Sequence, residues 1–88
     1  MKIKSGFVVR EIAGDYIVVA TGEISKTFHA MIKLNDSGKD IWDILSEGAT
    51  QQELYDKLCA KHGLPLEEIK PSTDEFLDVL RKNDLFEA

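Results

Sequence analysis

Hydrophobic and polar positions along the chain change their period at Asn35. Before it, Phe7 to Ala13 (FVVREIA) and Asp15 to Ala20 (DYIVVA) are short segments rich in Val, Ile and aromatic residues, with Gly14-Asp15 at the turn between them. That pattern predicts a β-hairpin. A third segment, KTFHAMIKL, alternates: Phe28, Ala30, Ile32 and Leu34 fall on one side, and Thr27, His29, Met31 and Lys33 on the other. A period of two over this length predicts a strand buried on one face. The intervening Thr21 to Ser25 (TGEIS) reads as a polar loop.

From Asn35 onward the period is helical. Asn35 is placed to cap a helix, Asp36 puts an acid in its first turn, and Gly38, Ile41, Trp42 and Leu45 form a stripe that ends at Gly48. Gly38 lowers helix propensity, so the expected use is close approach of a neighbouring backbone. Thr50 followed by Glu53 is a capping box, in which each side chain satisfies an amide at the helix start. Leu54, Tyr55, Leu58 and Cys59 line that helix, and His62-Gly63 ends it. In the last segment Pro71 interrupts the backbone bonding. Nevertheless, Leu66, Ile69, Thr73, Phe76, Leu77 and Leu80 make one stripe across it, which predicts a long helix kinked near Lys70. Asn83 is the expected left-handed cap, after which Leu85 and Phe86 fold back onto the core.

The order β-β-β-α-α-α predicts a two-layer α+β domain, in which three amphipathic helices cover one face of a three-stranded sheet. Three consecutive short helices also permit a helix-turn-helix from about Glu53 through Leu80. At 88 residues the chain supports one core rather than two, so residues 1–88 are expected to form a single domain.

Composition narrows the chemistry. Hydrophobic residues make up 43% and charged residues 31%, enough apolar surface for folding. One cysteine, Cys59, excludes an intrachain disulfide and a cysteine zinc cluster, and favours a reducing compartment. No apolar run approaches a membrane span and the N-terminus lacks a secretion signal, so a cytoplasmic location away from membranes is expected. Net charge is −5 but unevenly spread: residues 1–33 carry five bases and three acids, whereas residues 34–88 carry six bases and thirteen acids. The second part is therefore unsuited to phosphate binding. Within it, Glu67 to Asp84 holds three bases against six acids, and a recognition helix of that sign is repelled by duplex DNA.

Catalytic groups are sparse. Cys59 lies beside Leu58 on an apolar helix face, the expected place of a structural thiol. His29 and His62 form no metal-binding spacing, and adjacent carboxylates such as Glu67-Glu68 and Asp74-Glu75 point in different directions on a solvated helix. The glycines are too widely spaced for a phosphate loop. No enzyme activity, metal or cofactor is expected. Peptide or protein recognition remains: KTFHAMIKL has no edge-blocking proline and would offer backbone donors and acceptors to an extended peptide.

The segment LNDSGKDIW, Leu34 to Trp42, resembles the strand-to-helix signature of the PqqD-like family: a Leu-Asn pair, a small hydroxyl residue and Gly, then Ile-Trp. GFVVREIAGDYIVV, KTFHAMIKLN, EGATQQELYDKL and EFLDVLRKNDLFE resemble the rest of the family pattern in order and spacing, from Gly6 to Glu87. Ser37, where Thr is more usual, and Asn83-Asp84, in place of a glycine, depart from it.

The resemblance implies a winged helix-turn-helix module of the kind called a RiPP recognition element. Such a module is not a catalyst. It holds the leader segment of a ribosomally made precursor peptide and presents it to a modifying enzyme, commonly a radical S-adenosylmethionine enzyme, in pyrroloquinoline quinone synthesis and related pathways. The implied site is a leader strand added to the third β-strand and packed against the third helix. Carried onto this sequence, the strand side is Thr27, Phe28, His29, Ala30, Met31 and Ile32, and the helix side is Thr73, Leu77 and Arg81. The rival readings are a small adaptor for an unrelated protein and a DNA-binding regulator, the latter disfavoured by the acidic helix.

Overall fold

A computed structural model describes residues 1–26 and 32–87. Strands β1 (Phe7–Ile12), β2 (Asp15–Ala20) and β3 (Ile32–Leu34) are followed by helices α1 (Asp36–Glu47), α2 (Gln51–His62) and α3 (Leu66–Lys82). The sheet is antiparallel in the order β1-β2-β3, so the α+β architecture is as the periodicity predicts. Between β2 and β3, Gly22–Lys26 forms a 3₁₀ turn rather than an open loop, with the Ser25 hydroxyl bonded to the Gly22 carbonyl at 2.6 Å.

The hairpin turn lies one residue earlier than the sequence suggests. Ala13 and Gly14 both take positive φ, 53° and 86°, and Ile12 pairs with Asp15. Two positive-φ residues in a two-residue loop define a type I′ turn, whose twist matches that of the strands it joins. Ala13 therefore belongs to the turn, not to β1, because closing the loop on Ile12 and Asp15 leaves only two residues for the reversal.

The helices begin and end on local chemistry. Asn35 accepts the Gly38 amide at 2.8 Å on its side-chain oxygen, and the Thr50–Glu53 capping box is complete, at 3.1 and 3.0 Å. Gly63, at φ 64°, closes α2 in the left-handed conformation. The helix α3 runs unbroken through Pro71. At its end Asn83 has φ −97°, and it is Asp84, at φ 58°, that takes the left-handed position. The Asn83 amide still reaches the Val79 carbonyl in the helical pattern, which moves the reversal one residue on.

One core joins the two layers. Val18, Ile32 and Leu34 from the sheet meet Ile41, Trp42 and Leu45 of α1, Leu54 and Leu58 of α2, and Ile69, Leu77 and Leu80 of α3. Trp42 is 4% exposed, and Leu45, Leu77 and Leu80 are completely buried. The N-terminal segment, which has no periodic signal, threads between chain-distant partners. The Ile3 amide bonds to the Leu45 carbonyl at 3.1 Å, Lys4 to Leu85 at 2.8 Å, and Ile3 bridges Phe86. Leu85 is buried and Phe86 packs on the core, as expected of the chain's return. No helix among the described residues is long and apolar enough to cross a membrane.

Candidate functional site

Among the described residues, β3 is paired on one side only, by β2. Which of its backbone groups face outward follows from the register. In a type I′ hairpin the residues flanking the loop exchange hydrogen bonds, and bonded pairs then alternate along the ladder. Ile12–Asp15 is such a pair, and the same alternation reaches Gly6–Thr21, where the Thr21 amide bonds to the Gly6 carbonyl at 2.7 Å. Asp15, Ile17 and Val19 thus direct their backbone groups toward β1, and Tyr16 and Val18 toward β3. Their partners are Leu34 and Ile32. Lys33, between them, turns its N–H and C=O to the open edge.

This changes the role of Ile32. Its side chain is 6% exposed and in the core, and its backbone is engaged with Val18. The outward group is on Lys33, whose exposed side chain is 3.3 Å from the Asp15 carboxylate. The other strand positions assigned from sequence, Thr27, Phe28, His29, Ala30 and Met31, lie outside the described residues.

On α3 the proposed positions separate. Thr73 and Leu77 are 2% and 0% exposed, in the centre of the buried stripe. Leu77 is a core residue and not a groove wall, because the face that the period identifies as apolar is the face already covered by the rest of the protein. Arg81 lies on one flank of that stripe: its guanidinium is 3.4 Å from Asp78 and 5.9 Å from the Phe86 ring centre. The opposite flank carries Ser72, Phe76 and Val79. Ser72 and Arg81 are nine residues apart, about two and a half turns, which sets them on different sides of the helix.

That second flank lines a cavity of about 340 Å³. Its far walls are Asn35, Gly38 and Ile41 at the start of α1, and Leu58 and His62 at the end of α2. Thr73 reaches its edge, whereas Leu77 and Arg81 do not line it. A neighbouring cleft is formed by Tyr16, Lys33 and Leu34 of the sheet with Asn35 and Phe76. Asn35 and Phe76 belong to both, so the two hollows adjoin. Gly38 leaves room chiefly for the capping oxygen of Asn35, with Phe76 and Leu34 at ordinary contact distance. A Cβ there would lie 3.5 Å from the Phe76 ring, 3.6 Å from Leu34 and 3.3 Å from the Asn35 side chain. Side chains, not a neighbouring backbone, occupy the space that this glycine leaves.

Polar contacts hold these walls in place. Asp40 of α1 receives Lys61 at 2.7 Å and His62 at 3.1 Å, tying the start of α1 to the end of α2. The hydrogen bond to Asp40, followed by its charge, raises the Lys61 pKa. On the Arg81 flank of α3, the Tyr55 hydroxyl donates to Asp74, which also binds Lys70 at 2.8 Å. Burial first, and then the bond to Asp74, raises the Tyr55 pKa, while Lys70 first, and then Tyr55, lowers that of Asp74. Cys59 is half-buried against the core, and no group of three or more His, Cys, Asp or Glu able to hold a metal occurs among the described residues.

Lys33, Ser72, Phe76 and Val79 escape a reading of the sequence alone. Lys33 is on the polar side of an alternating strand, and Ser72 and Val79 sit at the margin of a stripe whose centre carries the stronger signal. Phe76 is part of that stripe, and periodicity does not distinguish a core position from one that also faces two hollows.

The solved structure of TbiB1 in complex with the TbiA(beta) leader peptide has the same fold, with a TM-score of 0.73 and 24% identity, over 100% of this chain and 96% of that one. No curated protein matches the sequence. Residues 9–85 match the family described as Coenzyme PQQ synthesis protein D (PqqD). They span both layers, from the first strand to the buried Leu85, and the chain belongs to the PqqD family.

Proposed function

We propose that this chain binds the leader segment of a ribosomally synthesised precursor peptide by adding it as a fourth strand to β3, and presents the precursor to a modifying enzyme of the radical S-adenosylmethionine type. The observation that carries the reading is the β3 edge left open among the described residues, where the register turns the N–H and C=O of Lys33 outward and where Lys33 and Phe76 line one cleft. Main-chain pairing supplies affinity for an extended peptide whatever its sequence, and side-chain hollows next to the edge supply selectivity. Family membership and the shared fold of a protein solved with a leader peptide support it. In this reading residues 1–88 act as one recognition domain in the cytoplasm, without catalysis of their own.

The test uses synthetic leader segments from a panel of short ribosomally made precursor peptides. Titrated into isotopically labelled protein, a leader that binds should shift the Lys33 amide and protect it from exchange. Lys33→Pro removes the outward donor but spares the bonds of Ile32 and Leu34 to β2, since proline is tolerated on an edge strand whose N–H faces out. The variant should fold and lose at least about tenfold in affinity, roughly 1.4 kcal/mol, beyond any loss in a Lys33→Ala control. A folded Lys33→Pro protein with unchanged affinity would sink strand addition at this edge.

A further inference from the structure

We infer that the cavity between the helix ends takes one large apolar side chain of the bound peptide with a Lys or Arg next to it, just outside the strand-paired stretch. The inference rests on the strand-addition reading and adds what the peptide must carry. Continuity gives the position: Asn35 and Phe76 wall both the cleft at the end of β3 and the cavity, so a peptide running off the β3 edge at Leu34 passes over the cavity mouth. The floor is apolar, made by Ile41, Leu58 and Ile69, all buried, with the half-buried Phe76. Leu64 and Val79, 43% and 37% exposed, stand at its margin and would lose contact with water under an apolar anchor.

Charge decides the neighbour. Glu68 and Glu75 line the same cavity from α3, and both are exposed. Neither has an ion-pair partner among the described residues, whereas Lys61 and Lys39, on the helices that form the far walls, are held by Asp40 and Asp43. Residues 34–88 carry seven more acids than bases. The mouth thus has two uncommitted carboxylates in a negative surround. A base beside the anchor is attracted there and an acid repelled, with a rim effect that salt weakens.

The test starts from a displayed library of random 16-residue peptides selected on the full chain at low salt. Selected peptides, made synthetically with a fluorescent label, are then titrated by anisotropy. They should share an extended stretch flanked by an aromatic or large aliphatic residue with an adjacent Lys or Arg. Changing that base to Glu should weaken binding about tenfold, and Glu68→Lys with Glu75→Lys should reverse the preference. Ser72→Phe, which fills the mouth from an exposed position, should weaken the flanked peptides and leave those trimmed to the paired stretch unaffected. Far-ultraviolet circular dichroism checks that each variant is folded. Peptides that are lost on Lys33→Pro but ignore the Glu68, Glu75 and Ser72 changes would overturn the cavity assignment and leave strand addition standing. Peptides indifferent to Lys33→Pro, or no binding peptide at all, would overturn both.

Discussion

Replacing Pro71 by alanine should make the protein more stable, and the sign of the change tests how α3 begins. In the structure α3 starts at Leu66, so Pro71 is in its second turn, exposed, and without the N–H that would reach the Glu67 carbonyl. Alanine restores that bond and removes the clash of the ring with the preceding turn. In a helix interior the difference between the two residues is about 3 kcal/mol. That is an upper bound here, because the residues before Pro71 are mostly exposed and the first-turn amides have no intrahelical partner in any case. A gain of roughly 1–3 kcal/mol follows. With a urea m-value of about 1 kcal/mol/M for a chain this small, the midpoint should rise by roughly 1–3 M. Urea unfolding followed by circular dichroism measures it directly. Were Pro71 instead the first residue of the helix, its ring would be preorganised there. Alanine would then lower stability by about 0.4–1 kcal/mol through the freer unfolded chain. A fall of that size would refute a helix running through the proline.

Two further outcomes follow from the fold. Ala13 carries a side chain at φ 53° in an exposed type I′ turn, so Ala13→Asn should stabilise by roughly 0.5–1 kcal/mol, read as a rise of several degrees in Tm, and a fall would contradict the turn assignment. The Tyr55–Asp74–Lys70 group makes stability depend on pH at both ends. Asp74, its pKa lowered in the folded protein, contributes stability that is present above the ordinary aspartate value near 4 and is lost as pH falls through the lowered one. Tyr55, its pKa raised, contributes stability that is present below about 10 and is lost as pH rises through the raised value. Tm measured against pH should decline at both limits, and Tyr55→Phe should decline less than wild type above pH 10. Equal alkaline declines would show that Tyr55 is not the titrating group.

The parts of this protein legible in the sequence are those set by neighbours within about one helical turn. Asn35, the Thr50–Glu53 box and Gly63 act on amides and carbonyls three or four residues away, and all are in place. The stripe of α1, and that of α3 from Ile69 through Thr73 and Leu77 to Leu80, identify buried residues because periodicity and burial are the same fact seen along and across a helix, whereas Leu66, in the first turn of α3, is 42% exposed. Alternation likewise assigns Ile32 and Leu34 to the core and Lys33 to solvent.

What tertiary structure decided is where those elements leave something unoccupied. The outward amide of β3 depends on the β2 register, which descends from a turn centred on Ala13-Gly14; because ladder bonds alternate, a shift of one residue exchanges inner and outer groups. The stripe of α3 names Thr73 and Leu77, but a stripe's centre is what the core covers. The residues left to face a groove lie on its margins, and only the placement of α1 and α2 selects the Ser72–Phe76–Val79 margin over the one carrying Arg81. The N-terminal segment meets the chain's other end through contacts of Ile3 with Leu45 and Phe86 and of Lys4 with Leu85, partners at separations where no local pattern operates. Sequence alone determined the elements and their buried faces, because both come from short-range bonding and the exclusion of apolar groups from water. The open edge and the adjoining cavity exist only after distant segments have packed.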